Sequence, residues 1–201
     1  MKKRDRTTQI LKILQDSGVL RPRDLESYGI PTEYLWRLYK RKLLQRVGHG
    51  LYILPDTNAT EHHTLAEACK RIPHGTVCLL SALRFHDLTT QAPFQIWMAI
   101  DEKARLPSVK YPVMKFVRFS KAALSEGIEV HHVEGVPVKV YNPAKTVVDC
   151  FKYRNKIGID VAIEALRDCR RQRKCTIDQL WYYANICRVV QIIKPYLEAT
   201  I

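Results

Sequence analysis

Ile10, Ile13 and Leu14 recur at helical spacing, with Asp5 to Thr8 placed for capping and Gly18 just beyond the last apolar position. This pattern predicts a helix over residues 7–16. Pro22 suits the first turn of a second, short helix through Leu25 to Tyr28, and Gly29 can end it in the left-handed conformation. Pro31 opens a third helix, with Leu35, Leu38 and Tyr39 on one face and Thr32, Glu33, Trp36, Arg37, Lys40 and Arg41 toward the other. Two short strand-like runs, Leu43 to Val47 and Leu51 to Leu54, flank Gly48-His49-Gly50, where glycines supply the backbone angles of a tight hairpin. Three helices and a hairpin in this order predict a winged helix-turn-helix.

Beyond a polar stretch at Pro55 to Thr60 the periodicity changes. Thr64 to Arg71 and Ser81 to His86 read as helices, whereas Phe94 to Ile100, Val113 to Arg118, Ile128 to Val133 and Val136 to Tyr141 are rich in branched and aromatic residues and read as strands. Glu134-Gly135 joins the last two as a hairpin. Asn142 with Pro143 starts a helix with Ala144, Val147, Val148 and Phe151 on one face. Residues 159–172 form the next, Thr176 with Gln179 is a capping box for a third, and Val189 to Glu198 forms a last helix interrupted at Pro195. The fold class expected is therefore α+β: a winged helix-turn-helix at 1–55, then a larger α+β domain at 60–201 with a small, mostly antiparallel sheet and C-terminal helices.

Composition adds charge to this picture. The chain has 201 residues, 46% hydrophobic and 26% charged, which is ordinary globular composition and excludes a disordered or collagen-like chain. Lys and Arg number 33 against 20 Asp and Glu, a net +13 that points to a polyanionic or acidic partner. Residues 1–54 carry 12 of these cations and 5 carboxylates, so a quarter of the chain holds over half of the net charge. No apolar run is long enough for a membrane span and the N-terminus is charged, so a cytoplasmic protein without a membrane partner is expected. The six cysteines include no C-x-x-C pair and read as buried thiols.

In a winged helix the third helix enters the major groove, its polar face meets base edges, and the wing holds phosphates. Thr32, Trp36, Arg37, Lys40 and Arg41 are then the candidate groove residues, with Arg46 and His49 on the wing and a basic arm at Lys2, Lys3, Arg4 and Arg6. A basic helix face can equally be plain solvated surface; the hairpin, the arm and the +7 balance of the same segment favour nucleic-acid binding. Trp36 either packs on DNA or buries against a neighbouring domain. A second stripe, Arg167, Arg170, Arg171 and Lys174, is either a solvated helix face or a further contact for a polyanion or an acidic protein.

Catalytic chemistry finds little support. His62-His63, His74, His86 and His131-His132 have no metal-ligand spacing with precedent, and no cofactor or metal is expected. Asp87 with Asp101-Glu102-Lys103 faintly resembles the acid and lysine layout of metal-dependent nucleases, a pattern that ordinary turns also produce. Ser81 lacks a glycine-framed elbow, and no phosphate loop is present.

GIPTEYLWRLYKRKLLQRVGHGLYIL at 29–54 resembles the winged-helix domain of AbiEi-type antitoxins of bacterial type IV toxin–antitoxin and phage-defence systems. HGTVCLLSALRFHDLTTQ at 74–91, IWMAI at 96–100 and GVPVKVYNPAKTVVDCFKYRNKIGIDVAIEAL at 135–166 resemble the second domain of that family, so the likeness spans most of the chain. The resemblance implies a non-enzymatic autorepressor that binds double-stranded operator DNA with inverted repeats. It also implies a second domain needed to counteract a nucleotidyltransferase toxin encoded beside it. The alternative is a metal-dependent nucleic-acid-processing enzyme that a winged helix docks.

Overall fold

The computed structural model describes residues 2–48, 50–55, 62–109 and 111–199. The chain divides into two compact units, Met1–Arg71 with His132–Pro137, and Ile72–His131 with Val138–Ile201.

In the first unit α1 (Lys2–Ser17) begins ahead of the apolar spacing, because residues 2–6 hold no glycine or proline to stop a helix. A 3-10 helix (Pro22–Tyr28) follows and ends at Gly29, φ 61° and ψ 28°. α2 (Glu33–Lys40) leads into β1 (Gln45–Gly48) and β2 (Leu51–Ile53), an antiparallel hairpin. Leu20 extends it, exchanging backbone hydrogen bonds of 2.9 and 3.0 Å with Tyr52. Ile10, Leu14, Leu20, Leu25, Ile30, Leu35, Leu38, Leu44 and Tyr52 form one core. A helix of eight residues is marginal alone, so burial of Leu35 and Leu38 there is what holds α2. α3 (His63–Arg71) completes the helices of this unit.

The remaining elements are β3 (Thr76–Val77), α4 (Leu79–Phe85), β4 (Ile96–Asp101), β5 (Met114–Phe119), α5 (Lys121–Ser125), β6 (Ile128–Val133), β7 (Val136–Tyr141), α6 (Pro143–Lys152), α7 (Arg154–Ile157), α8 (Ile159–Arg171), α9 (Ile177–Cys187) and α10 (Val190–Glu198). Among the described residues they build one five-stranded sheet, ordered β5-β4-β3-β7-β6. The expectation of a mostly antiparallel sheet is corrected: it is mixed. β3 runs antiparallel to β4 but parallel to β7, with Val77 opposite Val140, and β4 runs parallel to β5 from Ile96↔Met114 to Asp101↔Phe119. The two-residue β3 accounts for one of these parallel contacts, since it lies between β4 and β7, and the long connection between β4 and β5 allows the other. α10 also differs from expectation, continuing through Pro195 without a break.

α6 packs on α4, α8 and α9 at the centre of the second unit's core. The Asn142 side chain accepts from the Lys145 amide at 2.8 Å and caps it. Fully buried on α6, the Lys145 ammonium donates to Asp149 at 2.6 Å and lies 4.2 Å from the centre of the Tyr141 ring. Burial pushes the Asp149 carboxyl up against the pull of Lys145. The Cys187 thiol donates to the same carboxylate at 3.4 Å, and burial with that charge pushes the thiol up to about 12.

Gly18 ends α1 at φ 64°, and a Cβ there would lie 1.6 Å from the Glu134 carbonyl oxygen. Gly29 has the same backbone handedness with nothing within 4 Å of its Cβ position. Gly29→Ala should therefore cost only the left-handed conformation, about 1–2 kcal/mol, whereas Gly18→Ala must also displace backbone. Urea unfolding of both variants should show the larger loss for Gly18→Ala; equal losses would mean that the close approach is not maintained in solution.

Candidate nucleic-acid interface

The side chains of α2 sort by the burial of two leucines. With Leu35 and Leu38 inward, Glu33, Trp36, Arg37, Lys40 and the following Arg41 are exposed, as is Thr32 ahead of the helix, whose side chain makes no capping hydrogen bond. Trp36 is 58% exposed, and the Lys40 ammonium sits 5.3 Å from its ring centre. The Arg37 guanidinium lies 5.4 Å from the Tyr34 ring, which Arg6 approaches at 5.8 Å. Arg37 also reaches Glu33 at 3.5 Å. An exposed pair of this kind contributes about 0.3–0.5 kcal/mol, less than the roughly 1–3 kcal/mol of a bidentate base contact, so Arg37 can be drawn to a duplex.

Arg46 is exposed on β1 opposite Tyr52. Residue His49 and the side chains of Lys2, Lys3 and Arg4 lie outside the described residues. Between the end of α2 and the hairpin, Tyr39, Lys40, Lys42, Leu44, Gln45 and Pro55 line an open recess of about 440 Å³. Tyr34 is not among the residues that the sequence singles out as groove contacts, although its i, i+3 spacing to Arg37 is a visible signal for such a pair.

Arg21, at the start of the 3-10 helix, is already engaged. Its guanidinium pairs with Asp24 at 3.2 Å and donates to the Lys70 carbonyl, while the Lys70 ammonium reaches Asp24 at 3.0 Å. Burial works to raise the Asp24 carboxyl, but the Arg21 amide and the Lys70 ammonium outweigh it and hold the group below its ordinary value. Arg23, next in the chain, is exposed.

The second basic stripe divides. Arg167, Arg170 and Arg171 share α8, with Arg171 paired to Asp168 at 2.9 Å, so an acid does interleave. Lys174 lies beyond the helix, where Arg173 turns left-handed at φ 54°; its ammonium donates to the His86 carbonyl.

Several of the residues considered for catalysis have structural partners. Ser81 Oγ accepts from the Trp97 amide at 3.0 Å, and Asp101 accepts from the Lys103 amide at 2.8 Å, which makes Asp101-Glu102-Lys103 a turn. His63 meets Glu134 at 2.6 Å, His86 donates to the Tyr141 carbonyl at 2.8 Å with its ring pKa lowered by burial, and His131 meets Glu129 at 3.3 Å. Among the described residues no three His, Cys, Asp or Glu side chains gather as metal ligands, and no helix is long and apolar enough to cross a membrane. All six cysteines are buried, and none is in a disulfide.

The segment that carries α2 and the hairpin matches the family described as "Transcriptional regulator, AbiEi antitoxin" over residues 9–55. Residues 9–55 are an AbiEi-family regulator domain. No curated protein sequence matches the chain. In three dimensions the chain is similar to the crystal structure of the Rv2827c protein from Mycobacterium tuberculosis, with a TM-score of 0.63 at 13% identity, covering 96% of this chain and 76% of the other. At that identity the likeness establishes the α+β fold alone: N-terminal helices with a small hairpin, then a mixed five-stranded sheet and C-terminal helices.

The ion cluster at Asp24 gives the AbiEi-family domain a defined acid response. A carboxyl held below its ordinary value contributes stability above roughly pH 4 and loses it as pH falls through the lowered value. Asp24→Asn should be less stable than the parent at pH 7, with the gap closing toward pH 2. Urea midpoints across that range test this, and a gap that stays constant would show that the cluster contributes nothing through ionisation.

Proposed function

We propose that the chain is a DNA-binding autorepressor and antitoxin of a type IV, abortive-infection toxin–antitoxin system, acting in the cytoplasm against a nucleotidyltransferase toxin. The observation that carries this is the coincidence of the AbiEi-family match at 9–55 with the exposed basic and aromatic face of α2. Residues 1–55 serve as a winged helix-turn-helix, with α2 in the major groove of an operator with inverted repeats. Thr32, Trp36, Arg37, Lys40 and Arg41 meet bases and sugar-phosphate, and Arg46 and His49 on the wing grip phosphate. Residues 60–201 serve antitoxicity, with Arg167, Arg170 and Arg171 on α8 as the surface that faces the toxin or its substrate. Lys174, held by the His86 carbonyl, supports that surface from the adjoining turn. The turn at Asp101 and the buried role of Ser81 weigh against a nucleic-acid-processing enzyme.

Two outcomes follow. Log affinity for duplex from its own promoter should fall linearly with log salt, by about 0.9 per phosphate contact; a flat response, or no binding, would sink the repressor reading. Replacing Arg37, Lys40 and Arg41 by Ala should abolish repression and leave rescue from the toxin intact. Replacing Arg167, Arg170 and Arg171 should do the reverse. Arg37, Lys40, Arg41, Arg167 and Arg171 are exposed and Arg170 is half-buried; exposed positions change stability by less than about 0.5 kcal/mol, and circular dichroism certifies that both variants fold. A promoter-reporter assay and a growth-rescue assay decide the matter, and loss of rescue in the folded α2 variant would overturn the division of tasks.

A further inference from the structure

We propose that the β4–β5 edge of the second unit, with the connection between these strands, binds single-stranded nucleic acid. This goes beyond the operator reading and uses other residues. Four large apolar side chains are left in water along residues 94–113: Phe94 at 87% exposure, then Leu106, Tyr111 and Val113 at half or more. Two of them are aromatic rings. The Ile96 amide donates to the Val113 carbonyl at 2.9 Å and Ile96 pairs with Met114, so Phe94 and the Tyr111 to Val113 segment lie at the same end of the two strands.

Cations mark the other end. There the Glu102 amide donates to the Phe119 carbonyl at 3.1 Å, which brings the Lys103 and Lys121 segments to one end of the pair. Six-residue strands separate the two ends by about 20 Å, and the connection carrying Arg105 and Leu106 returns over that length. From 103 to 125 the chain holds Lys103, Arg105, Lys110, Lys115, Arg118 and Lys121 and no Asp or Glu. Two of these are tied down: the Lys115 ammonium sits 4.2 Å from the Trp97 ring centre, and the Arg118 guanidinium donates to the Glu102 carbonyl at 2.6 Å. Lys103, Arg105 and Lys121 are exposed and make no side-chain hydrogen bond or ion pair among the described residues. Of the carboxylates just before this run, Asp101 is occupied by the Lys103 amide, and Glu102 is exposed.

Solvated flat rings at one end and unpaired cations at the other fit a strand whose bases can stack and whose phosphates can pair. A duplex hides its base faces from such rings. An acidic peptide adding to β5 would meet a lysine-bearing edge, a feature that discourages strand addition.

The test is fluorescence polarisation of the full chain with a labelled short oligouridine, its promoter duplex and a polyglutamate peptide. Phe94→Ala with Tyr111→Ala should weaken oligouridine binding by about tenfold for each ring and leave duplex affinity unchanged, while Phe94→Tyr with Tyr111→Phe retains it. Lys103→Ala, Arg105→Ala and Lys121→Ala together should weaken it and flatten its salt dependence. The α2 triple variant should lose duplex and keep oligouridine, so failure of the operator reading stays distinguishable. Oligouridine binding unaffected by the ring variant, oligouridine lost with the α2 variant instead, or polyglutamate being the ligand that the ring variant releases would each overturn the proposal.

Discussion

The burial of Leu35 and Leu38 is the constraint on which the first unit turns. α2 has eight residues, too few to persist alone, and two buried leucines contribute about 1.5–3 kcal/mol each. Once they face Ile10, Leu14, Leu25 and Ile30, helical geometry leaves no other place for Trp36, Arg37, Lys40 and Arg41 than the outside. Gly29 and Pro31 set where the helix can begin, and Leu44 with Tyr52 anchors the hairpin to the same core. The exposed basic face is thus a consequence of packing, and its chemistry is free to vary without disturbing the core.

The second unit depends on a different interaction. Lys145 and Asp149 are both fully buried on α6, one turn apart, and each answers the charge of the other. Tyr141 and Phe119 present their ring faces to the ammonium, and the Cys187 thiol takes up another carboxylate lone pair. Losing either charge would leave the other uncompensated in the core where α4, α8 and α9 meet, so this pair specifies how α6 sits.

Local signals were legible and non-local ones were not. Leu35 and Leu38 of α2, Gly29 as a stop, Asn142 as a cap and the Thr176–Gln179 box all appear in the structure where the residues place them, whereas Tyr39, grouped with the two leucines by spacing, is exposed. β3 is two residues long and α5 and α7 are five and four, below the length at which periodicity exists. Parallel pairing of β3 with β7 depends on partners far apart in sequence, which no window of residues contains. At the candidate surfaces the same division holds. The outward set of α2 follows from spacing, whereas the engagement of Arg21 by Lys70 and of Lys174 by the His86 carbonyl comes from chain brought in from 49 and 88 residues away. The compact unit around α2 also includes α3 and residues 132–137, which nothing local announces.

Hydrogen–deuterium exchange of the full chain with and without duplex from its own promoter tests the central claim most directly. Bound duplex should slow exchange over residues 32–46, where α2 and the start of the hairpin meet the groove, and leave α8 at 159–171 unchanged. Protection confined to α8 or to the β4–β5 edge, with residues 32–46 exchanging as in the free protein, would contradict the account.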